Sequence, residues 1–209
     1  MKLVKAKAGE IELEGFLNMP ANTTGIVLFA HGSGSSRHSP RNQYVADVIN
    51  SGGIGTLLID LLTQEEEQVD IMTRQLRFDI PMLADRVANV VDWLHEIHGL
   101  PIGICGSSTG AAAALVAAAK RPNIVKSVVS RGGRPDLAGN ALPHVLCPTL
   151  LIVGGDDTVV IGMNEEAKQL MSCETKLSIV PGATHLFEEP GTLGEAAKQA
   201  REWFRQTLS

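Results

Sequence analysis

Short runs of unbroken apolar residues, separated by longer stretches of helical period, constrain the fold of this chain more than any other feature. The runs fall at residues 25–30, 54–60, 102–105, 125–130, 149–153 and 176–180. A strand with one wet face alternates apolar and polar residues, so a run without alternation is expected where both faces are covered. Between the runs, residues 81–98 carry Leu83, Val87, Val90, Val91 and Leu94 at intervals of three and four, and residues 110–120 are rich in alanine. Both stretches predict helices. Strand alternating with helix predicts a mostly parallel sheet with helices on both faces. Residues 3–8 and 11–17 depart from this rhythm. Only Gly9-Glu10 joins them, which suits a hairpin and is too short for a crossover helix, so an N-terminal antiparallel hairpin is expected.

The chain has 209 residues, of which 44% are hydrophobic and 20% charged, enough apolar side chains to cover one sheet on both faces. No repeat, low-complexity segment or Pro/Gly/Ser-rich linker divides it, and residues 1–209 are expected to form a single domain. Residues 61–80 are poorly patterned, and the run Glu65-Glu66-Glu67 reads as a solvated face or a loop bordering a site. The formal net charge of −5, with both signs mixed along the chain, argues against nucleic acid or anionic lipid as partner. No segment has the length and apolarity of a signal sequence or a membrane span, and a cytoplasmic location is the expectation. Cys105, Cys147 and Cys173 lack metal-ligand spacing and read as buried free thiols. His95 and His98 share a helix without a third ligand nearby, so a solvated helix face is expected there and not a metal site.

The most specific local signal is Gly106-Ser107-Ser108-Thr109-Gly110, placed after a predicted strand and at the start of a predicted helix. A Gly-x-Ser-x-Gly in that context makes a sharp strand-to-helix turn that lifts the serine hydroxyl into the open at the positive end of a helix. A serine is a weak nucleophile at neutral pH and needs a base and a group to orient that base. Two later loops follow strands, at the edge where open α/β sheets build their sites. They are Gly154-Gly155-Asp156-Asp157 and Pro181-Gly182-Ala183-Thr184-His185. Ser108 as nucleophile, Asp157 as orienting acid and His185 as base follow in the chain order serine, acid, histidine. Asp156 is the alternative acid, and His185 has the bland alternative of a helix cap.

The turn Ala30-His31-Gly32-Ser33-Gly34 would supply backbone N–H groups for an oxyanion. The amide of Ser33, with Gly34 as the alternative, would join that of Thr109. His31 would brace the loop by hydrogen bonding. A dinucleotide fingerprint would need glycine where Arg37 stands, and the Lys-Ser/Thr ending of a triphosphate loop is absent. Arg37, after this loop, and Arg131, at the end of the strand at 125–130, are candidates for binding an anionic group on a substrate. The ordinary alternative for such arginines is pairing with loop carbonyls or with nearby aspartates such as Asp79 and Asp136.

Taken together, the His31-Gly32 turn, the Gly-x-Ser-x-Gly at Ser108, the Gly-x-x-Asp at Asp157 and the Gly-x-x-His at His185 resemble the dienelactone-hydrolase-like branch of the α/β-hydrolase family. The resemblance spans nearly the whole chain and implies an α/β-hydrolase fold; the chain lacks room for the large helical cap that many relatives insert, so an open, shallow site is expected. The resemblance also implies a serine hydrolase acting on a small ester or thioester, with no cofactor. Dienelactone hydrolases proper use a cysteine nucleophile, and Ser108 occupies the matching position here, so lactone chemistry does not follow. A catalytically silent binding module, or an acyltransferase using the same residues, are the competing readings. A homo-oligomer is compatible with the sequence.

Overall fold

The computed structural model describes residues 1–208. Strands β1 (Lys2–Ala8), β2 (Ile11–Asn18), β3 (Ile26–Ala30), β4 (Gly55–Ile59), β5 (Ile102–Ser107), β6 (Val125–Arg131), β7 (Thr149–Gly154) and β8 (Thr175–Val180) form one sheet in the order β1-β2-β4-β3-β5-β6-β7-β8. The hairpin β1–β2 is antiparallel, with Ala8 opposite Ile11, and β2 runs antiparallel to β4. From β4 to β8 every pairing is parallel. The edge strand β1 exposes Lys2, Lys5 and Lys7, which discourages pairing with a further strand.

Helices α1 (Pro40–Asn50), α2 (Gln64–Thr73), α3 (Ile80–His98), α4 (Thr109–Lys120), α5 (Thr158–Leu170) and α6 (Thr192–Thr207) complete the fold, with a 3-10 turn at Leu76–Phe78 and a 3-10 stretch at Pro135–His144 that is kinked at Gly139. Alternate residues of the central strands feed different cores, as a two-residue side-chain period requires. On one face Leu28, Ile104 and Val128 meet Val87 and Val91 of α3 and the alanines of α4. On the other, Val27, Phe29 and Val129 meet Ile49 of α1 and Ala197 and Phe204 of α6. All six runs in the sequence are strands; in β3 to β7 the covering of both faces is the reason they lack polar alternation, whereas β8 is an edge strand that leaves Lys176 and Ile179 exposed. Burying each such Leu, Ile, Val or Phe side chain contributes roughly 1.5–3 kcal/mol before the ordering cost is counted.

The poorly patterned interval 61–80 contains a helix that hydrophobic periodicity did not reveal. Helix α2 buries only Asp70, so it shows no apolar stripe. Its start is set by polar chemistry: Thr63 Oγ1 accepts from the Glu66 amide while the Glu66 carboxylate accepts from the Thr63 amide. Glu66 also receives two bonds from the Arg86 guanidinium on α3, so one member of the acidic run is a tether rather than a solvated charge. Among the described residues no helix is long and apolar enough to cross a membrane.

Strand register gathers the loops that matter. Ala30 pairs with Gly106, Ser107 with Arg131, and Gly154 with Val180, so the carboxyl ends of β3, β5, β6, β7 and β8 lie along one edge. Strands β3 and β5 are neighbours, yet β3 leads to α1 on one face and β5 to α4 on the other. A crevice opens where adjacent strands send their connections in opposite directions.

Candidate active site

Ser108 stands between β5 and α4 with φ 49° and ψ −123°, a conformation costly for a residue with a side chain. The flanking glycines permit the turn. A Cβ on Gly106 would lie 2.4 Å from Ala111 Cα, and one on Gly110 would lie 2.2 Å from the Ala30 carbonyl oxygen. Strand, elbow and helix are therefore held at backbone contact, with Ser108 at the amino end of α4. The Ser108 carbonyl accepts from the Ala111 and Arg134 amides, which fixes the turn from both sides.

Across the crevice, His185 Nδ1 lies 2.7 Å from Asp157 Oδ2. Asp157, at the amino end of α5, is partly buried, whereas Asp156 is exposed. Of the two aspartates left open by the sequence, Asp157 is thus the partner of the imidazole. The carboxylate accepts the Nδ1 proton, leaving Nε2 with its lone pair free. The loop carrying His185 is stapled by Glu189, whose carboxylate accepts from both the amide and the hydroxyl of Thr184. Sequence reading did not single out Glu189; its place four residues beyond the histidine carries no motif. Ser108 and His185 line one cleft of about 620 Å³, bordered by the loop after β3 and the amino end of α1.

The loop after β3 packs onto the elbow, since a Cβ on Gly32 would lie 2.9 Å from Ser108 Cβ. His31 braces it as anticipated: Nδ1 bonds the Gly32 carbonyl at 2.9 Å and Nε2 accepts from the Leu61 amide at 3.0 Å. Because an amide can only donate, the ring is neutral with its proton on Nδ1. Burial lowers the His31 pKa from 6.5, outweighing the opposing influence of the Gly32 carbonyl, Asp60 and Glu67. The unfolded chain then binds a proton that the folded ring resists. The stability linked to this ring is complete above about pH 6.5 and falls as the pH drops through the depressed folded value. Melting temperature is expected to fall between about pH 7.5 and 5.5 in the wild type and to fall less in His31→Gln, which keeps an acceptor but cannot be protonated. Equal falls would remove His31 from the account.

The two amides expected to face an oxyanion differ in their resting state. Ser33 N–H donates to Thr109 Oγ1 at 2.9 Å, so it is engaged rather than open. Thr109 is the first residue of α4, and an amide at that position has no partner within its own helix.

The two arginines part company. Arg37 does not face the cleft: its guanidinium pairs with Asp60 and Glu14 and covers the Phe16 ring at 5.2 Å. Proximity in sequence to the β3 loop suggested a substrate role, but two carboxylates on the hairpin side draw the side chain away. Arg77 and Arg134 are likewise paired, with Asp70 and Asp136. Arg131 does line the cleft. It is 8% exposed, and its Nη2 donates to Asn42 Oδ1 at 2.7 Å and to Ser107 Oγ at 2.9 Å. Asn42, on α1, is a contributor the sequence did not announce. Burial pulls the Arg131 guanidinium below the usual arginine range.

Comparison with known proteins places this geometry. The family described as "Alpha/beta hydrolase domain" matches residues 23–207. A crystal structure of dienelactone hydrolase from Anabaena variabilis is 57% identical, covers 100% of this chain and 98% of its own, and superposes with a TM-score of 0.98. The structure of Est1E from Butyrivibrio proteoclasticus shares the fold at 16% identity, with a TM-score of 0.82 over 99% of this chain and 98% of its own. A Mycobacterium tuberculosis protein named "Putative phosphoribosyl transferase" is 54% identical over 204 residues, covering 96% of this chain and 45% of that protein. The chain therefore spans about half the length of the curated relatives it matches. By sheet order, family match and near-complete superposition, the chain belongs to the α/β-hydrolase family, in its dienelactone-hydrolase-like branch.

Proposed function

We propose that the chain hydrolyses a small ester or thioester through an acyl-enzyme on Ser108. The observation that carries the reading is the 2.7 Å bond from the His185 imidazole to Asp157, in a cleft that His185 shares with the strained Ser108. Ser108 Oγ adds to the carbonyl carbon as His185 Nε2 takes the hydroxyl proton, and Asp157 holds the imidazole in that tautomer. The carbonyl oxygen becomes an oxyanion against the Thr109 amide. The Ser33 amide joins it once the oxyanion replaces the Thr109 hydroxyl as its acceptor. Collapse expels the alcohol or thiol, which carries away the proton from His185. Water then repeats the sequence on the acyl-enzyme, releasing the acid and restoring Ser108. The chemistry needs no cofactor.

The name of the Anabaena relative adds a lactone, an internal ester, to the substrates worth testing. The transferase name belongs to a protein of which this chain matches 45%, whereas the hydrolase family match covers residues 23–207 of this chain. We therefore attach hydrolysis, not phosphoribosyl transfer, to this chain. A fluorophosphonate is expected to modify the protein once, on the peptide containing Ser108, with loss of esterase activity in step with labelling. Labelling elsewhere, or full labelling with activity intact, would refute the assignment.

A further inference from the structure

Asn164 is placed at a cost that the fold does not explain. It lies inside α5, two turns beyond Asp157 and so on the same face, and it is 0% exposed. Asparagine is a poor residue for a helix interior, and among the described residues its buried Oδ1 has no hydrogen-bond partner. Its Nδ2 is fully used. It donates to the Val160 carbonyl at 2.8 Å, within the helix, and to the Gly133 carbonyl at 3.1 Å, in the loop after β6. Two carbonyls on one side-chain atom require a donor there, which fixes the orientation of the carboxamide.

The Gly133 carbonyl begins a chain of peptide groups. No backbone amide among the described residues donates to it, so Asn164 holds it. In a planar trans peptide the C=O and the following N–H point in opposite directions. Opposite the Gly133 carbonyl is the Arg134 N–H, which donates to the Ser108 carbonyl at 3.0 Å. Opposite the Ser108 carbonyl is the Thr109 N–H, the first amide of α4, which has no partner within its helix and faces the oxyanion in the proposed reaction. The Ala111 amide shares the Ser108 carbonyl but belongs to α4 itself, so of the two bonds only that from Arg134 ties this peptide to another element. A Cβ on Gly133 would lie 1.9 Å from Ser130 Oγ and 2.6 Å from Ala111 Cβ, so the middle link is packed at backbone contact with no side chain of its own to orient it.

We infer that Asn164 is a positioning residue for the oxyanion step: through two peptide groups it aims the Thr109 amide and polarises it toward the developing charge. This rests on the proposed ester hydrolysis at Ser108 and adds to it a residue that stands outside the cleft. Hydrogen bonds in series strengthen one another, and the strained φ of 49° at Ser108 makes the following peptide depend on what holds its carbonyl. One helix thus carries the orienting acid at its amino end and the hold on the serine elbow two turns later.

The test uses Asn164→Leu, which keeps the volume and loses the donor, and Asn164→Ser, whose hydroxyl can bond back to the Val160 carbonyl and spare the helix. The serine variant keeps the test sound if the leucine variant does not fold. With 4-nitrophenyl acetate each folded variant is expected to lose about tenfold in kcat while KM stays within about twofold of wild type. That is less than the roughly 10²–10³-fold cost of deleting an oxyanion donor, because the Thr109 amide remains and only its aim and polarity suffer. Inhibition by 1,1,1-trifluorobutan-2-one, whose adduct with Ser108 carries an oxyanion, is expected to weaken by the same factor as kcat. The acid limb of the kcat–pH profile should keep its midpoint, since the His185–Asp157 pair is untouched. A folded variant with kcat within about twofold of wild type, a loss carried by KM, a shifted acid limb, or a kcat loss that the trifluoromethyl ketone does not share would overturn the inference. Ser108→Ala separates the two readings. A Ser108→Ala protein that still turns over removes the oxyanion step itself. An inert one, beside Asn164 variants of wild-type kcat, removes only the role of Asn164.

Discussion

Ser108→Ala is expected to lower kcat for a short-chain aryl ester by about 10⁴–10⁶-fold while the protein remains folded. The size of the loss follows from what the hydroxyl contributes. Without it there is no acyl-enzyme, and water must attack a carbonyl polarised only by the surrounding amides, which by themselves retain roughly 10³–10⁴-fold acceleration over solution. Stability should change little, because alanine occupies the same φ of 49° at the same cost as serine and the Ser108 hydroxyl caps no helix amide. Initial rates with 4-nitrophenyl acetate and a circular dichroism melt decide the matter together. A folded variant with wild-type turnover would mean that the nucleophile lies elsewhere. A variant that loses activity by unfolding would show that Ser108 is needed for the turn itself.

How far the sequence anticipates this site depends on which force places each residue. Strands β3 to β7 were legible because burial on both faces leaves a short run without polar alternation, and the hairpin because two residues cannot carry a crossover. The elbow was legible because its glycines answer a steric demand: Ala30 and His31 carbonyls pass within 2.3 Å of where a side chain on Gly110 would begin. Helix α2 escaped detection because a capping box and an ion pair to Arg86 hold it instead of an apolar stripe, and the periodic signal depends on the stripe alone. Arg37 was misplaced for a related reason. A guanidinium reaches several ångströms from its backbone, and its direction is decided by carboxylates distant in sequence, here Asp60 on one side and Glu14 on the other. The Asn42–Arg131 contact spans 89 positions and joins a helix to a strand end, so no local pattern could announce it.

The choice between neighbouring aspartates illustrates the same limit and carries the second large effect. Asp157→Asn is expected to reduce kcat by about 10³–10⁴-fold near neutral pH, and Asp156→Asn by no more than a few-fold. In the wild type the Asp157 carboxylate can only accept, so it holds the His185 proton on Nδ1 and leaves Nε2 basic. An asparagine fits the same space but can turn its NH₂ toward Nδ1. The imidazole proton then moves to Nε2, where it blocks acceptance of the Ser108 proton while every heavy atom stays in place. Asp156 is exposed, and its amide donates to the Ala183 carbonyl, so its backbone supports the loop whatever its side chain. Steady-state kinetics of the two variants, with melting curves to show that both remain folded, discriminate sharply. Equal losses would mean that charge near the loop matters more than tautomer control. A larger loss at Asp156 would reassign the acid and remove the geometric basis on which His185 is read as the base.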